Sequence, residues 1–350
     1  MIRPETTATL EKLEAWLKRR RARGRWLVLT HDNPDPDALA TGMILTKVLR
    51  RRFRQQVTLA YGGIVGRAEN REMVRTLKIK ASRWRHLQIK NYRHVALVDC
   101  QPKTGNHSLP DTITPALVID HHAMRPATAE VPLVDIRTDY SASASIAAEY
   151  LLASGLEATR AEATALVYAI RSETLDFSRE AAGPDLPLYN HFLARANTRT
   201  LGRIQSPRLT ESYFRTLHDA LENLQRIDSV LISELGVVEQ PDIVPEVADL
   251  LLRMEGVTWS LCTGQFEDRV FCSIRTTNPR ANAASVMRRL LGRAGHGGGH
   301  PMIAGGWIGI PKDRSAVEVQ AKLSQRFVKL LRKAPSRLSP LNFGGEAPKD

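Results

Sequence analysis

Four potential metal ligands lie within seven residues near the start of the chain. They are His31, Asp32, Asp35 and Asp37, and they directly follow a short apolar run that predicts a buried strand. Two intervening prolines keep this backbone extended, and alternate residues of an extended chain point to the same side. Asp35 and Asp37 can therefore converge while His31 closes the site. A single aspartate here would more simply form a turn or cap a helix, but the cluster favours a metal site.

Two further predicted strands end in the same kinds of residue. Asp99 ends one apolar run, and Asp120, His121 and His122 end another. Since open α/β sheets place their sites at the carboxyl ends of strands, we expect these side chains to meet the first cluster. Two divalent cations ~3.5–4 Å apart require several carboxylates, one of them bridging. Mixed oxygen and imidazole ligands favour Mn²⁺ over Ca²⁺, with Mg²⁺ also compatible.

The three segments resemble motifs I, II and III of the DHH phosphoesterase superfamily. Its members include RecJ-type exonucleases, oligoribonucleases that also dephosphorylate nucleoside bisphosphate, cyclic-dinucleotide phosphodiesterases and family II pyrophosphatases. The fourth motif of those relatives reads roughly Ser-Asp-Thr-Leu-x-Phe, and residues 172–177 here read Ser-Glu-Thr-Leu-Asp-Phe. Glu173 thus replaces the usual aspartate. The resemblance covers nearly all of residues 25–195.

This resemblance implies a role for each matching position. It implies a two-Mn²⁺ cluster in which Asp99 bridges two sites, one formed by His31, Asp35 and Asp99, the other by Asp37, Asp99, His121 and the fourth-motif acid. Glu173 is the preferred fourth-motif ligand, and Asp176 is the fallback. His122 would contact the substrate phosphate, and Asp120 would orient a neighbouring imidazole.

A glycine-rich segment in the second half, residues 295–306, resembles the Gly-Gly-Gly-His loop of the DHHA1 substrate-binding domain. Backbone amides at Gly298 and Gly299 could approach phosphate oxygens closely, and His300 could add a donor. Arg275 matches the family's strand-end arginine, which suits a bidentate phosphate contact. Such a segment could also be a flexible turn, but its position after the metal cluster favours phosphate binding.

Composition sets the broad class. A chain of 350 residues predicts about two domains. The net charge of +13 favours an anionic partner, although generic basicity would give the same excess. Three cysteines make no disulfide framework, and neither a signal peptide nor a long apolar run is visible, so we expect a cytoplasmic protein.

Strand and helix patterns alternate along the chain, which predicts an α/β fold. We expect a parallel-sheet DHH domain with helices on both faces, plus a smaller α/β DHHA1 domain. The expected bounds are residues 1–195 for the catalytic domain, 196–228 for a connector, 229–333 for the substrate domain and 334–350 for a disordered tail. Strands are predicted at 26–30, 57–61, 94–98, 116–119, 229–234, 257–263 and 270–275, helices at 38–53, 143–154, 161–171, 212–226, 244–254, 283–291 and 316–331, and a loop at 292–306.

The resemblance implies hydrolysis of a phosphodiester or phosphoanhydride, with substrate bound between the two lobes. Size and plan are similar to the oligoribonuclease and nucleoside-bisphosphate phosphatase branch, so we expect a Mn²⁺-dependent phosphodiesterase of exonuclease type. Its substrate would be short single-stranded RNA or DNA, or a linear or cyclic dinucleotide, with nucleoside bisphosphate as a further candidate. Two alternatives stay open: a non-catalytic nucleotide-binding protein with a degenerate site, and a phosphatase or pyrophosphatase of a small phosphoanhydride. A homodimer is also compatible.

Overall fold

The computed structural model describes residues 2–19, 24–178 and 183–341. These residues divide into two compact units, the first ending at Pro207 and the second beginning at Arg208. The division falls inside the predicted connector. Among the described residues, none of the helices is both long enough and apolar enough to cross a membrane.

The first unit is built on a parallel sheet of six strands. They are β1 (Arg25–Leu29), β2 (Gln56–Tyr61), β3 (Ala81–Arg83), β4 (His94–Val98), β5 (Leu117–Asp120) and β6 (Leu133–Ile136). Their order in the sheet is β3-β2-β1-β4-β5-β6, and each neighbouring pair is parallel. The chain leaves β1 toward one edge and returns to β4 on its other side. The switch point of the sheet, where ligands bind in such folds, therefore lies at the carboxyl ends of β1 and β4.

Helices cover both faces of this sheet, as predicted. The α-helices are α1 (Pro4–Arg19), α2 (Pro36–Arg51), α3 (Ala68–Leu77), α4 (Ser143–Ala153), α5 (Arg160–Glu173), α6 (Leu186–Leu193) and α7 (Thr198–Gln205). Their apolar side chains share one core with Trp26 and Val28 of β1. The alternate residues Leu27 and Leu29 face the other way, where 3-10 helices and loops cover them. Because strands in such a sheet are buried on both faces, they read as continuous apolar runs.

The second unit is the smaller α/β domain that the sequence predicts. Its strands are β7 (Gln225–Ile227), β8 (Val230–Val237), β9 (Trp259–Phe266), β10 (Arg269–Thr276), β11 (Gly295–Gly299), β12 (Ile303–Gly309) and β13 (Ser339–Pro340). They form one sheet in the order β11-β12-β10-β9-β8-β7-β13. Helices α10 (Ala283–Leu291) and α11 (Ala316–Leu330) bury one face, and α8 (Glu211–Glu222) and α9 (Ile243–Leu251) bury the other.

The predicted glycine-rich loop is wrong, because its residues form the antiparallel hairpin of β11 and β12. Glycine is normally depleted in strands, which is why the sequence indicated a loop. Here the glycines allow α10 to approach the hairpin. A Cβ at Gly297 or Gly306 would lie 2.7 or 2.5 Å from Leu291 Cδ1.

The predicted connector and tail also differ from the structure. Leu201 of α7 packs in the core of the first unit, and Ala220 of α8 packs in the second, so the segment is divided between the units. The tail was predicted to begin at residue 334, but Ser339 and Pro340 pair with β7 at the sheet edge, where proline is tolerated. Residues 342–350 of that tail lie outside the described residues.

Candidate metal centre

The loop between β1 and α2 is braced by a neighbouring segment. Asp32 accepts a 2.8 Å hydrogen bond from the Ser108 hydroxyl, and its N–H donates to the Asn106 carbonyl at 2.7 Å. Gly62 lies so close that a Cβ there would stand 1.7 Å from Asp32 Oδ1. Asp32, one of the four candidate ligands in the sequence, therefore holds the loop in place.

The other two carboxylates of this loop accept hydrogen bonds from N–H groups at the starts of two helices. Asp35 Oδ1 accepts the N–H of Ala38 at 2.9 Å and so caps α2. Asp37 is buried and accepts the N–H groups of Ser143 and Ala144 of α4, at 2.8 and 2.7 Å. Since a helix N-terminus carries partial positive charge, both helices stabilise these carboxylates. One of these aspartates, Asp35, therefore does cap a helix, as a lone aspartate in this loop would be expected to do.

Asp99 lies between two imidazoles at the end of β4. Its backbone has a φ of 57°, which aspartate adopts more readily than most residues, and its side chain is 4 % exposed. Asp99 Oδ2 lies 3.5 Å from His31 Nε2, and Oδ1 lies 3.7 Å from His121 Nε2. Oδ1 also accepts a 2.9 Å hydrogen bond from the Ser143 hydroxyl. The two oxygens of this carboxylate therefore face two different imidazoles.

Two clusters that share Asp99 have the composition of divalent-cation sites. Two sets of possible ligand atoms lie within 4.8 Å and share Asp99, namely His31, Asp35 and Asp99, and Asp99, His121 and His122. His31 Nδ1 lies 2.9 Å from the Asp32 carbonyl, so Nδ1 carries the proton and Nε2 can accept a metal. Asp37 Oδ2 lies 4.0 Å from His121 Nε2, beside the second set. Carboxylate oxygens with imidazole nitrogens fit Mn²⁺ or Mg²⁺.

Charge is concentrated in this cluster. Burial and the nearby carboxylates of Asp99 and Glu173 raise the pKa of Asp37 well above its ordinary value. Burial alone would also raise the pKa of Asp35, but the hydrogen bond and the charge of His31, together with the Ala38 N–H, outweigh burial and lower that pKa to about 2. Bound cations relieve the repulsion between neighbouring carboxylates, so the concentration of charge fits the proposed metal ligands.

Asp120 and His122 form a pair beside this cluster. His122 Nδ1 donates to Asp120 Oδ1 at 2.9 Å, and this hydrogen bond raises the pKa of His122 to about 9. Asp120 Oδ2 accepts from the Gln101 amide at 2.7 Å. Gln101 is buried, and its Oε1 accepts from Arg125 N–H and the Thr128 hydroxyl, which ties the following loop to the pair. The sequence analysis missed Gln101, because an isolated glutamine gives no pattern.

The fourth motif ends α5 and places its two acids differently. Glu173 is near enough for its charge to raise the pKa of both Asp37 and His122, although it belongs to neither of the two ligand sets. Asp176 instead pairs with Arg171, and its side chain is 67 % exposed. Residues 175–177 all have left-handed backbones, with φ of 49°, 56° and 62°. This unusual turn carries Asp176 away from the direction of α5.

The phosphate-binding residues predicted in the second half of the chain all lie in the second unit. Arg275 is buried, and its Nε donates to Asp249 while Nη1 donates to Ser273 Oγ at 2.7 Å. His300 is exposed, just after β11, and its N–H donates to the Ile303 carbonyl at 2.7 Å. The predicted phosphate guanidinium therefore already has a carboxylate partner.

The hairpin has one packed face and one bare face. Gly298 pairs with Gly305, and a Cβ at Gly298 would meet no atom within 4 Å. Gly299 has a φ of 142°, which L side chains rarely adopt. Exposed backbone of this kind allows a ligand to approach closely.

An aromatic stack stands next to the bare backbone on the same face. His296 and Trp307 are cross-strand partners two residues from Gly298 and Gly305, so all four share that face. The two rings stack at 4.5 Å, and the Arg269 guanidinium lies 4.0 Å from the Trp307 ring. The sequence analysis missed this stack, because its residues are far apart along the chain.

Comparisons with known proteins agree with this architecture. Residues 25–170 match the DHH family N-terminal domain, and residues 228–329 match the DHHA1 domain. An uncharacterized protein of Methanocaldococcus jannaschii is 32% identical over 307 residues, which cover 87% of this chain and 62% of that relative. The chain thus spans about 62% of the length of the curated relative it matches.

A solved structure shows the same fold. An exopolyphosphatase-related protein from Bacteroides fragilis superposes with a TM-score of 0.69 at 13% identity, over 93% of this chain and 98% of that chain. A pGpG-specific phosphodiesterase from Vibrio cholerae, 14% identical over 87% of this chain and 99% of its own, superposes with a TM-score of 0.31. With both domains present in order, this chain belongs to the DHH/DHHA1 superfamily.

Proposed function

We propose that this chain is a two-metal phosphoesterase that hydrolyses phosphodiester bonds in short oligonucleotides or dinucleotides. The proposal depends above all on Asp99, whose two oxygens lie 3.5 and 3.7 Å from Nε2 of His31 and His121 respectively. A carboxylate shared in this way is what two cations ~3.5–4 Å apart require. Mn²⁺ is the expected metal and Mg²⁺ the alternative, because the ligands combine oxygen and imidazole nitrogen.

The residues around Asp99 would divide the work. His31 and Asp35 would hold one cation, Asp37, His121 and Glu173 would hold the other, and Asp99 would bridge them. Bound divalent cations would supply Lewis acidity and activate a water molecule.

His122 and Asp120 would bind substrate beside the cations. Because Asp120 occupies Nδ1 of His122, the imidazole would donate from Nε2 to a phosphate oxygen. Gln101 would hold Asp120 in the required position.

Features of the second unit favour a nucleotide over a simple inorganic phosphate as the substrate. The backbone of Gly298 and Gly299, with His300, would bind a phosphate, and Arg275 would join them where phosphate displaces the 43 % exposed Asp249. The stack of His296 and Trp307 lies two residues along the same strands and offers an aromatic surface for a base.

A substrate panel tests this proposal. The purified protein with Mn²⁺ would be assayed on dinucleotides, short RNA, short DNA, cyclic dinucleotides, nucleoside bisphosphate, pyrophosphate and polyphosphate, with the Asp99→Asn variant as control. We expect wild-type hydrolysis of at least one phosphodiester and its loss in the variant. Activity confined to pyrophosphate or polyphosphate would assign a phosphoanhydride substrate, and binding of nucleotide without turnover would assign a non-catalytic role.

A further inference from the structure

The positive charge of this chain is distributed unevenly. The first unit contains 31 Lys and Arg residues against 21 Asp and Glu, whereas the second contains 19 against 16. Residues 78–93 hold six of these cations and one histidine, without a single acidic residue. We call this segment the basic strap, and its cations are Lys78, Lys80, Arg83, Arg85, Lys90 and Arg93.

The strap separates its apolar and basic side chains. Its large apolar members after β3, Trp84, Leu87, Ile89 and Tyr92, pack against the sheet face that the 3-10 helices cover, whereas Ile79 packs in the core on the other face. Of its cations, Arg83 is half-buried and the other five are exposed. The local fold thus anchors the strap through its apolar residues and presents the charges to solvent.

These charges are not neutralised by nearby acids. Elsewhere in the unit, cations pair closely with carboxylates, for example Lys47 with Glu162 at 2.6 Å and Arg75 with Glu72 at 2.6 Å. Within residues 2–19, 24–178 and 183–341, no strap cation lies within 4.0 Å of a carboxylate oxygen. An unpaired run of like charge raises the local concentration of anions.

The strap reaches the edge of the sheet that holds the metal centre at Arg83, inside the segment. Arg83 is the last residue of β3 and pairs with Tyr61 at the end of β2. Because all six strands are parallel, this edge also carries the ends of β1 and β4. Strand β3 lies two positions from β1, which corresponds to about 10 Å.

The last residues of the strap lie at the opposite edge of the sheet. Arg93 directly precedes β4, and Lys90 and Arg93 border a cavity of about 460 Å³ that Trp16 and Tyr92 also line. Strand β4 runs between these two edges of the sheet, and its five residues span roughly 17 Å. The strap therefore runs the full height of the sheet.

We propose that the basic strap is a track for single-stranded nucleic acid whose cleaved end lies at the metal centre. This inference rests on the proposed function and names its substrate more narrowly as an oligonucleotide longer than a dinucleotide. A length of roughly 17 Å corresponds to about five stacked nucleotides at 3.4 Å each. An anionic membrane fits less well, since the strap's large apolar side chains pack inward and offer nothing to insert.

Substrate length provides the test. The variant Arg85→Glu/Lys90→Glu would be compared with Lys322→Glu/Lys329→Glu, which makes the same change in net charge at two exposed positions of α11. Hydrolysis of RNAs of two to about ten nucleotides would be measured at two salt concentrations. We expect the wild-type kcat/KM to rise up to about seven nucleotides, and the strap variant to lose about tenfold on the longer RNAs and less than about twofold on the dinucleotide. Its salt dependence should also become weaker.

Several outcomes would overturn the track. The first is an equal loss of kcat/KM on the dinucleotide, and the second is an equal loss of kcat/KM in the control variant. The third is that the strap substitutions leave kcat/KM unchanged for every RNA length. Anisotropy of a labelled seven-nucleotide RNA, measured in EDTA, tests the strap even if the protein hydrolyses no RNA. Tighter binding to phosphatidylglycerol vesicles than to this RNA, abolished by the same substitutions, would assign the strap to a membrane and reject the track.

Discussion

Asp99 is the residue on which both proposed metal sites depend. Each of its oxygens faces a different imidazole, and its left-handed backbone limits what could replace it. Asparagine also adopts positive φ readily, whereas branched residues do not. Substitution by asparagine therefore removes the charge and keeps the backbone.

The first prediction uses this distinction. Asp99→Asn should reduce bound Mn²⁺ in both sites and lower activity at least about a hundredfold, because the shared ligand loses its charge. Metal analysis and circular dichroism on the same samples would separate metal loss from unfolding. The exposed Asp111→Asn serves as control and should behave as wild type. More than roughly a tenth of wild-type activity at saturating Mn²⁺ would show that Asp99 does not bridge.

The second prediction concerns the two acids of the fourth motif. Glu173→Ala should keep one tightly bound cation and lose the other, because Glu173 lies near Asp37 and His122. Its activity should fall steeply and recover partly at high Mn²⁺. Asp176→Ala is the matched control and should be nearly silent, since Asp176 pairs with Arg171. Glu173→Asp should be tolerated. Metal titration decides the assignment, and unchanged stoichiometry in Glu173→Ala rejects it.

At the scale of secondary structure, the start of α4 connects two of the acidic residues. Its first two N–H groups bind Asp37, and the Ser143 hydroxyl binds Asp99. The helix thus orients carboxylates that come from two different strand ends. Sequence analysis identified Ser143 only as the start of a helix, because nothing local indicates which carboxylates that helix will meet.

The third prediction removes this hydroxyl. Ser143→Ala should weaken Mn²⁺ binding about tenfold, since such supporting hydrogen bonds tune ligand geometry. Ser233→Ala is the control, because it also deletes a buried hydroxyl. That hydroxyl lies in the second unit and donates to the Ala220 carbonyl at 2.8 Å. Both variants should lose about 1 kcal/mol of stability. Isothermal titration with Mn²⁺ should separate them, and equal affinities would assign Ser143 a purely structural role.

The long, strongly patterned elements could be predicted from the sequence, and the short ones could not. Strand β4 and helix α10 have the predicted bounds, and most other predicted elements differ by a few residues. Strands β3 and β6 were missed because polar residues interrupt their few positions, whereas the equally short β5 was predicted from its apolar run. The hairpin of β11 and β12 was missed because contact with α10, not local propensity, makes glycine acceptable there. Likewise, the ligand residues follow strand ends, whereas Gln101 and Asp249 act through contacts that only the fold creates.

At the scale of the whole molecule, the proposed metal ligands belong to the first unit, whereas Arg275, His300 and the glycine hairpin belong to the second. Each unit has its own sheet and its own buried cores. Changes to the second unit should therefore affect substrate binding and leave the metals in place.

The fourth prediction tests this separation. His300→Ala and Arg275→Ala should each keep wild-type Mn²⁺ stoichiometry and lower kcat/KM by about 10- to 100-fold, because each removes a charge-assisted contact with phosphate. Asp249→Asn is the control for Arg275, since it weakens the same ion pair and keeps the guanidinium. Steady-state kinetics and metal analysis provide the readouts. If Asp249→Asn matches the loss in Arg275→Ala, the arginine acts through folding alone, and lost metal in any of these variants would contradict the separation.

The spread of the ligands along the chain has a consequence for folding kinetics. Residues from position 31 to position 173 meet only after β1, β4, β5 and α5 have docked, so the site completes late in folding. A cation would then stabilise the native state much more than the transition state, and it would act chiefly on the rate of unfolding. Stopped-flow measurements should show that EDTA shortens the lifetime of the folded first unit and leaves its refolding rate nearly constant. For this chain, metal supply would set how long the folded state persists and not how quickly it forms.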